Sequence, residues 1–454
     1  MRRERASQAR AKKLKFLFQE AKVSKYLKIV VAALAVAALA APAFADSTVS
    51  GYYRMQMMTD NLKGNPAKDK ASESQIDQRL RMMYKNTLNE YVYFVYYAEI
   101  DTPWGQPSKG SIGGGGQAGA DGVNVETKNA YLDFKIPNSI FSFRTGIQGF
   151  ADRFEGTVIN DDWAGVLANL AIAPTFNTTL GYFKGNENDT TKWDDKDLYA
   201  VQTNFKLSDS FSLMADGYWL SDNSTNLNTL PDATRTKAND LYILGVAANA
   251  KMAGMGLNAW LAYQFGTKDY DAAATGDQDY NALGGSAKLT MKAGPAAIGV
   301  RATAFSSNDK ADKISWQGGI GVYEFPGENL SIFFADAYYN NTAGGRHAMT
   351  DAVQKGFGLF ALNATADLAL PGNLYLKSGA GYFMSLKDKV GADEREAKSL
   401  GFELAARVGT KVAEKVDVSL NGAYALVGDF YKAKGSSADP DNMYKVNMMV
   451  NVGF

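Results

Sequence analysis

The sequence predicts an all-β fold, an antiparallel up-and-down barrel of 18–20 strands that crosses a membrane, and three observations predict it. The first is the end of the chain, where Tyr444, Val446, Met448, Val450, Val452 and Phe454 alternate with Lys445, Asn447, Met449, Asn451 and Gly453. A two-residue period of this kind is a strand between unlike surroundings, and a strand with lipid outside and water inside needs one apolar and one polar face. The second is that such segments recur along the chain, joined by connections that alternate between short and long. The third is that beyond residue 45 no apolar run approaches the 18 residues of a spanning helix, so the backbone must be satisfied by a closed sheet.

The chain begins with a leader. Residues 1–28 hold ten Lys/Arg and two acidic residues, residues 29–41 are an apolar run of 13, and Ala43-Phe44-Ala45 is a small-x-small cleavage site. This pattern predicts a secretory signal over residues 1–45, cut after Ala45; its apolar run is short of the roughly 20 residues of a spanning helix. A start near residue 23 would give a signal of ordinary length. The rest, residues 46–454, reads as a single barrel domain.

Strand segments follow in order at 49–59, 75–88, 91–101, 125–136, 140–148, 164–172, 176–184, 198–207 and 211–220. The second half adds 241–250, 257–265, 282–292, 297–305, 314–323, 330–338, 357–370, 374–386, 400–411, 416–426 and 443–454, a count of 20. An even number places both termini at the short-turn end. Segments 164–172 and 314–323 carry the weakest alternation, and Asp161 to Leu170 reads equally as a short helix folded into the channel. Asn89-Glu90, Pro137-Asn138, Ala173-Pro174, Gly294-Pro295 and Pro371-Gly372-Asn373 are turn residues with preset or permissive φ. Long polar connections such as 60–74, 102–124 and 221–240 separate them. In a barrel of this type the short turns are periplasmic and the long loops extracellular. The Gly-rich run 111–122 is a loop tip without the Lys-Ser/Thr of a phosphate cradle.

Candidate pore residues come from the same period. Asp77, Arg79, Arg81 and Lys85 share one face of their strand, opposite Gln78, Leu80 and Met82, while Glu99 and Asp101 share the inner face of the next strand. Asp133 and Lys135, then Arg144, and Arg54 in the first strand complete a wall on which both signs meet. Arg or Lys facing lipid near the midplane costs on the order of 2–4 kcal/mol, so these groups face the lumen. Two readings stay open: a constriction that filters solutes by charge and size, or a ladder of mutually satisfied ion pairs that stiffens the wall. Trp260 and Tyr97 could offer a sugar-stacking surface, although a core or girdle role is commoner for such rings.

Composition removes other classes. Taking the ten basic and two acidic leader residues from the 48 of each sign leaves 38 and 46, a net charge of −8, which disfavours nucleic acid as a partner. The absence of cysteine excludes disulfides, thiolate metal sites and covalently attached haem. The lone histidine, His347, lies in a polar loop and supports no nucleophilic arrangement, so no catalytic residue, metal or cofactor is predicted.

Asp77-Gln78-Arg79-Leu80-Arg81, Glu126-Thr127-Lys128-Asn129-Ala130-Tyr131-Leu132-Asp133-Phe134 and Asn160-Asp161-Asp162-Trp163-Ala164-Gly165-Val166, with the terminal Phe454, resemble porins of the Gram-negative outer membrane, Geobacter-type deltaproteobacterial ones among them. The resemblance implies 16 to 18 strands against the 20 read from the residues. It implies passive diffusion of small hydrophilic solutes, a homotrimer among lipid and lipopolysaccharide, and reading of Phe454 by the assembly machinery. Two alternatives belong beside it: a substrate-specific channel for anions such as phosphate or acidic sugars, and a barrel sheathing a multihaem cytochrome.

Overall fold

Alternating side chains along the chain build one closed sheet. The computed structural model describes residues 46–62, 71–106, 115–118, 125–187, 194–223, 236–270, 276–308, 310, 312–317, 329–334 and 348–454. Residues 1–45, over which the sequence predicts a signal, with Ala43 and Ala45, most of the Gly-rich run and His347 lie outside the described residues. The barrel strands begin with β1 (Asp46–Asp60), β2 (Glu73–Asn89), β3 (Val92–Pro103), β4 (Glu126–Lys135), β5 (Phe141–Ala151), β6 (Asn160–Ala173), β7 (Phe176–Asn186), β8 (Lys196–Ser208) and β9 (Phe211–Asp222). They continue with β10 (Thr236–Met252), β11 (Met255–Tyr270), β12 (Gln278–Ala293), β13 (Ala296–Phe305), β14 (Leu359–Ala369), β15 (Leu374–Met384), β16 (Ser399–Ala413), β17 (Val416–Val427) and β18 (Met443–Gly453).

Each strand pairs antiparallel with its sequence neighbours, and β18 returns to β1 in a register from Tyr52↔Gly453 to Asp60↔Lys445. Closure leaves no sheet edge, which a bilayer would not tolerate. Burial is inverted relative to a water-soluble core. Gln56, Asn421 and Glu403 are 0% exposed and Lys445 4%, whereas Leu404, Leu420 and Val408 are 55%, 58% and 50% exposed. Polar groups point in and apolar groups out, the arrangement of a wall bathed in lipid.

The outer face carries aromatic bands. Tyr182, Tyr199, Trp219, Tyr242 and Phe265 occupy one register row across β7–β11, with ring centroids 5.3, 4.7, 5.8 and 5.3 Å apart in turn. Phe176 and Phe205 stack at 5.0 Å near the short turns. The six residue steps from Phe176 to Tyr182 span about 20 Å of strand, in keeping with an apolar band flanked by interfacial rings.

The barrel has 18 strands, not 20. Segment 164–172 is a strand, the central part of β6, so the helical reading of Asp161 to Leu170 is set aside. The two surplus segments are 314–323 and 330–338, whose residues 318–323 and 335–338 lie outside the described ones. Of the first, only Lys313–Ile314 forms a strand, pairing parallel with Asp279 and Tyr280 of β12. Of the second, Leu330 to Phe334 are all buried and in no strand. The physical reason is in the residues: Ile332-Phe333-Phe334 is a continuous apolar run, and a lipid-facing strand must alternate. Both segments belong to the connection 306–358, and its described residues Trp316, Phe333 and Phe334 pack on Phe305 and Phe383 of the inner wall.

Candidate functional site

The lumen has two unlike sides. On β1–β5 the side-chain period places Arg54, Asp77, Arg79, Arg81, Glu99 and Asp101 on the inward face, and the register makes partners of them. Arg79 lies directly opposite Asp101, donating to it from Nε at 2.6 Å and from Nη2 at 2.5 Å. Arg81 lies opposite Glu99 and donates to its carboxylate, which also sits 3.5 Å from Arg79. Across the other side of β2 the register sets Arg54 against Arg79, like charge against like. Asp77 offsets this, 4.0 Å from Arg54 and accepting a 3.1 Å bond from Gln56.

Asp133 and Arg144, opposite each other on β4 and β5, form a separate pair at 3.0 Å, with the guanidinium 4.5 Å from the Tyr131 ring centre. Lys85 packs its ammonium over Tyr93 at 4.1 Å instead of joining the carboxylates, and Lys135 is exposed at the end of β4. Six of the ten candidate residues therefore form one cluster, two form a second pair, and two stand apart. Phe454 closes the backbone ladder, exchanging N–H···O bonds with Gly51 at 3.0 and 3.1 Å.

The other side is covered by chain that folds inward and brings apolar side chains against it. After β5 the chain turns at Asp152, whose buried carboxylate accepts the N–H groups of Phe154, Gly156, Val158 and Ile159 at 2.7 to 3.0 Å. Burial pushes this carboxyl up to about 6 even though the four donors pull it down. The turn projects Phe154 against Tyr218 and Trp260, at 5.9 and 5.8 Å between ring centres. Gly245 makes room for that ring, since a Cβ there would stand 2.5 Å from it.

The same turn holds Arg153 on Asp216 of β9, with Nε donating at 2.9 Å. Glu155 adopts φ 65° and accepts from Arg301 of β13 and, at 2.9 Å, from Trp260 Nε1 of β11. Trp260 is thereby a core residue, not a sugar-stacking surface. Farther along, Gln264 of β11 exchanges two bonds with the backbone of Gln317, at 2.8 and 2.9 Å, and seats Trp316 beside Phe305. Sequence reasoning missed Arg153 and Glu155, although Asp152 followed by Gly156 is a local turn signal that could have flagged them.

The lumen stays hollow beneath this turn. A cavity of about 600 Å³ lies between residues 152–156 and the wall at Asn249, Asn258, Lys288 and Arg301. A second, of about 540 Å³, shares Asn249 and Asn258 and reaches the turn Ser208–Ser210.

Comparison with known proteins bears on the family and the fold. The family model described as Gram-negative porin matches residues 31–370. None of the curated proteins matches the chain. Among solved structures, the outer membrane protein OpdK from Pseudomonas aeruginosa is similar at 10% identity and TM-score 0.55, with 90% of this chain and 98% of that one covered. A BenF-like porin from Pseudomonas fluorescens aligns at 12% identity and TM-score 0.54 over 90% and 98%, and OpdL from Pseudomonas aeruginosa at 14% and 0.52 over 89% and 98%. Identities this low speak for a shared fold.

Proposed function

The chain belongs to the Gram-negative porin family, and from that premise we propose that it is a passive diffusion channel for small hydrophilic solutes and ions, filtered by the mixed-charge wall of β1–β5. The family and fold make it an outer-membrane channel and not an enzyme. The observation that carries the finer reading is the opposition of Arg79 to Asp101 and of Arg81 to Glu99 on the inner face. Paired charges of both signs along one wall present local dipoles to the path, which order polar solutes without excluding either ion.

Two alternatives fare less well. Arg54, Arg79 and Arg81 meet Asp77, Glu99 and Asp101 in the same cluster, so the arc is balanced, whereas a dedicated anion channel calls for unbalanced positive charge. A cytochrome sheath needs an empty lumen, and here Phe154, Trp316 and Leu330 to Phe334 pack inside the wall.

Export by the 1–45 signal and assembly through Phe454 complete the proposal, with a trimer and a place near the deltaproteobacterial porins as what the family resemblance implies. The test is single-channel conductance and reversal potential of the refolded protein in a planar bilayer under a salt gradient. Large ohmic steps with weak selectivity are expected, with Arg79→Ala and Arg81→Ala each moving the reversal potential toward cations. A folded barrel that leaves the membrane silent would overturn the reading.

A further inference from the structure

The connection 306–358 touches the inner wall at separate places, and one of them uses a carboxylate in an unusual way. Glu403 projects inward from β16 and is fully buried. Three successive backbone N–H groups converge on it, from Ser331 at 2.6 Å, Ile332 at 3.0 Å and Phe333 at 2.9 Å. Lys445 of β18 acts on the same carboxylate through its charge. Consecutive N–H groups around one anion form a nest, and bonds to a charged acceptor are the strong kind. A carboxylate on the wall of an aqueous pore would ordinarily be hydrated and would act on passing ions. This one is committed to holding main chain.

What it holds is the apolar stretch around Leu330 to Phe334. Phe333 and Phe334 both pack on Phe383 of β15, each with ring centres 4.9 Å away. Asn329 adds bonds to Asp367 of β14 at 2.8 Å and to the Ser378 carbonyl at 3.3 Å. Apolar contacts are non-directional and would let such a stretch slide along the wall, whereas three N–H bonds to one side chain fix its height and orientation.

We propose that Glu403 is a positioning residue of the channel: it seats residues 329–334 against β14–β16, and this seating sets the size of solute that passes. The inference rests on the diffusion-channel reading. It assigns the size limit to a carboxylate that need not touch the permeating solute, separate from the charged cluster on β1–β3. Loss of the carboxylate orphans three buried N–H groups, so the seated arrangement loses its advantage over a released one.

The experiment measures single-channel conductance and exclusion of graded polyethylene glycols for the full chain and for Glu403→Gln, Glu403→Ala and Glu403→Asp. In parallel, Ser331→Cys is labelled with a bulky maleimide, in a chain that contains no other cysteine. With Glu403 present the new thiol should be protected. The Ala variant should expose it, admit larger polymers and raise conductance roughly twofold, since a wall layer withdrawn from the lumen widens the path, and Gln, which keeps one acceptor oxygen, should show part of each change. Asp should restore part of each effect. Folded Gln and Ala variants with native conductance, exclusion and thiol protection would overturn the proposal. If those two fail to fold, Asp decides: partial exposure with a wider path supports the role, and native values refute it. A silent wild-type barrel would sink the diffusion reading and the size limit with it, while the thiol would still report the seating separately.

Discussion

Arg54 and Arg79 stand directly opposite each other across β1 and β2, two guanidinium groups on one face of the sheet, and Asp77 is the carboxylate that makes this tolerable. Like charges opposed on adjacent strands destabilise, so the cluster depends on where its anions sit more than on how many there are. Asp77 is the more buried anion, with a side chain 7% exposed against 28% for Asp101.

The consequence is an inversion of what contact distance alone would suggest. Asp101 holds Arg79 at 2.5 Å and Asp77 stands 4.0 Å from Arg54, yet Asp77→Asn should cost more than Asp101→Asn. Removing the more buried anion takes the nearest carboxylate away from the Arg54 side of a like-charge contact, on the order of 3 kcal/mol, whereas the half-buried, better hydrated Asp101 pair is worth about 1 kcal/mol. Urea unfolding of the refolded barrel in lipid vesicles measures both. Equal costs would mean that water in the lumen screens the Arg54–Arg79 contact.

Trp219 illustrates the outer face. Its ring stacks on Tyr199 at 4.7 Å and Tyr242 at 5.8 Å, and its Nε1 donates to Asp240 at 2.9 Å. Trp219→Ala should lower the unfolding free energy by about 1–3 kcal/mol, through lost area and lost ring contacts, and should leave single-channel conductance unchanged. A change in conductance would place this row on the permeation side of the wall and contradict its assignment to the lipid interface.

Legibility from the sequence followed the range of the interaction. Arg79, Arg81, Glu99 and Asp101 could be placed because strand period alone decides which face a residue takes, and the short turn Glu90-Tyr91 fixes which residues meet. Asp133 and Arg144 were legible for the same reason. Ile332-Phe333-Phe334 was not, because a short apolar run bounded by turn residues reads alike whether it is a strand or a segment buried among other elements. The pairing of Glu155 with Arg301 was out of reach: the two are separated by 146 residues, and their meeting depends on how the turn after β5 folds back into the barrel.

That turn carries a pH dependence. Asp152 sits in the connection after β5, and its carboxyl, at about 6 in the folded protein, lies above the ordinary aspartate value near 4. An acid raised by folding binds a proton that the unfolded chain releases. Its stabilising contribution is therefore complete below about pH 4 and is lost as the pH rises through 6. Against Asp152→Asn, which does not titrate, the wild type should gain up to about 3 kcal/mol between pH 7 and pH 4, at roughly 1.4 kcal/mol per unit. Unfolding in detergent micelles at the two values gives the comparison. A difference independent of pH would show that the four N–H donors outweigh burial and keep the group ionised.

Glu155 tests the charge logic from the opposite wall. Lys288 and Arg301 face each other across β12 and β13, again two cations in register, and both border the cavity of about 600 Å³ beneath the turn. Glu155 comes from the turn and accepts from Arg301, so its carboxylate places a negative charge beside that pair much as Asp77 does for Arg54 and Arg79. Glu155→Gln keeps the size of the side chain and removes its charge. The lumen should then favour anions, and the reversal potential under a salt gradient should move opposite in sign to that of Arg79→Ala. The amide can still accept from Trp260 Nε1, so the fold should survive with a cost of about 1–3 kcal/mol for the weakened bond to Arg301. Raising the salt from 0.1 M to 1 M shortens the screening length from about 10 Å to about 3 Å and should erase most of the shift. A shift that persists at high salt would point to a change in the width of the path, with the turn itself displaced, and not to its electrostatics.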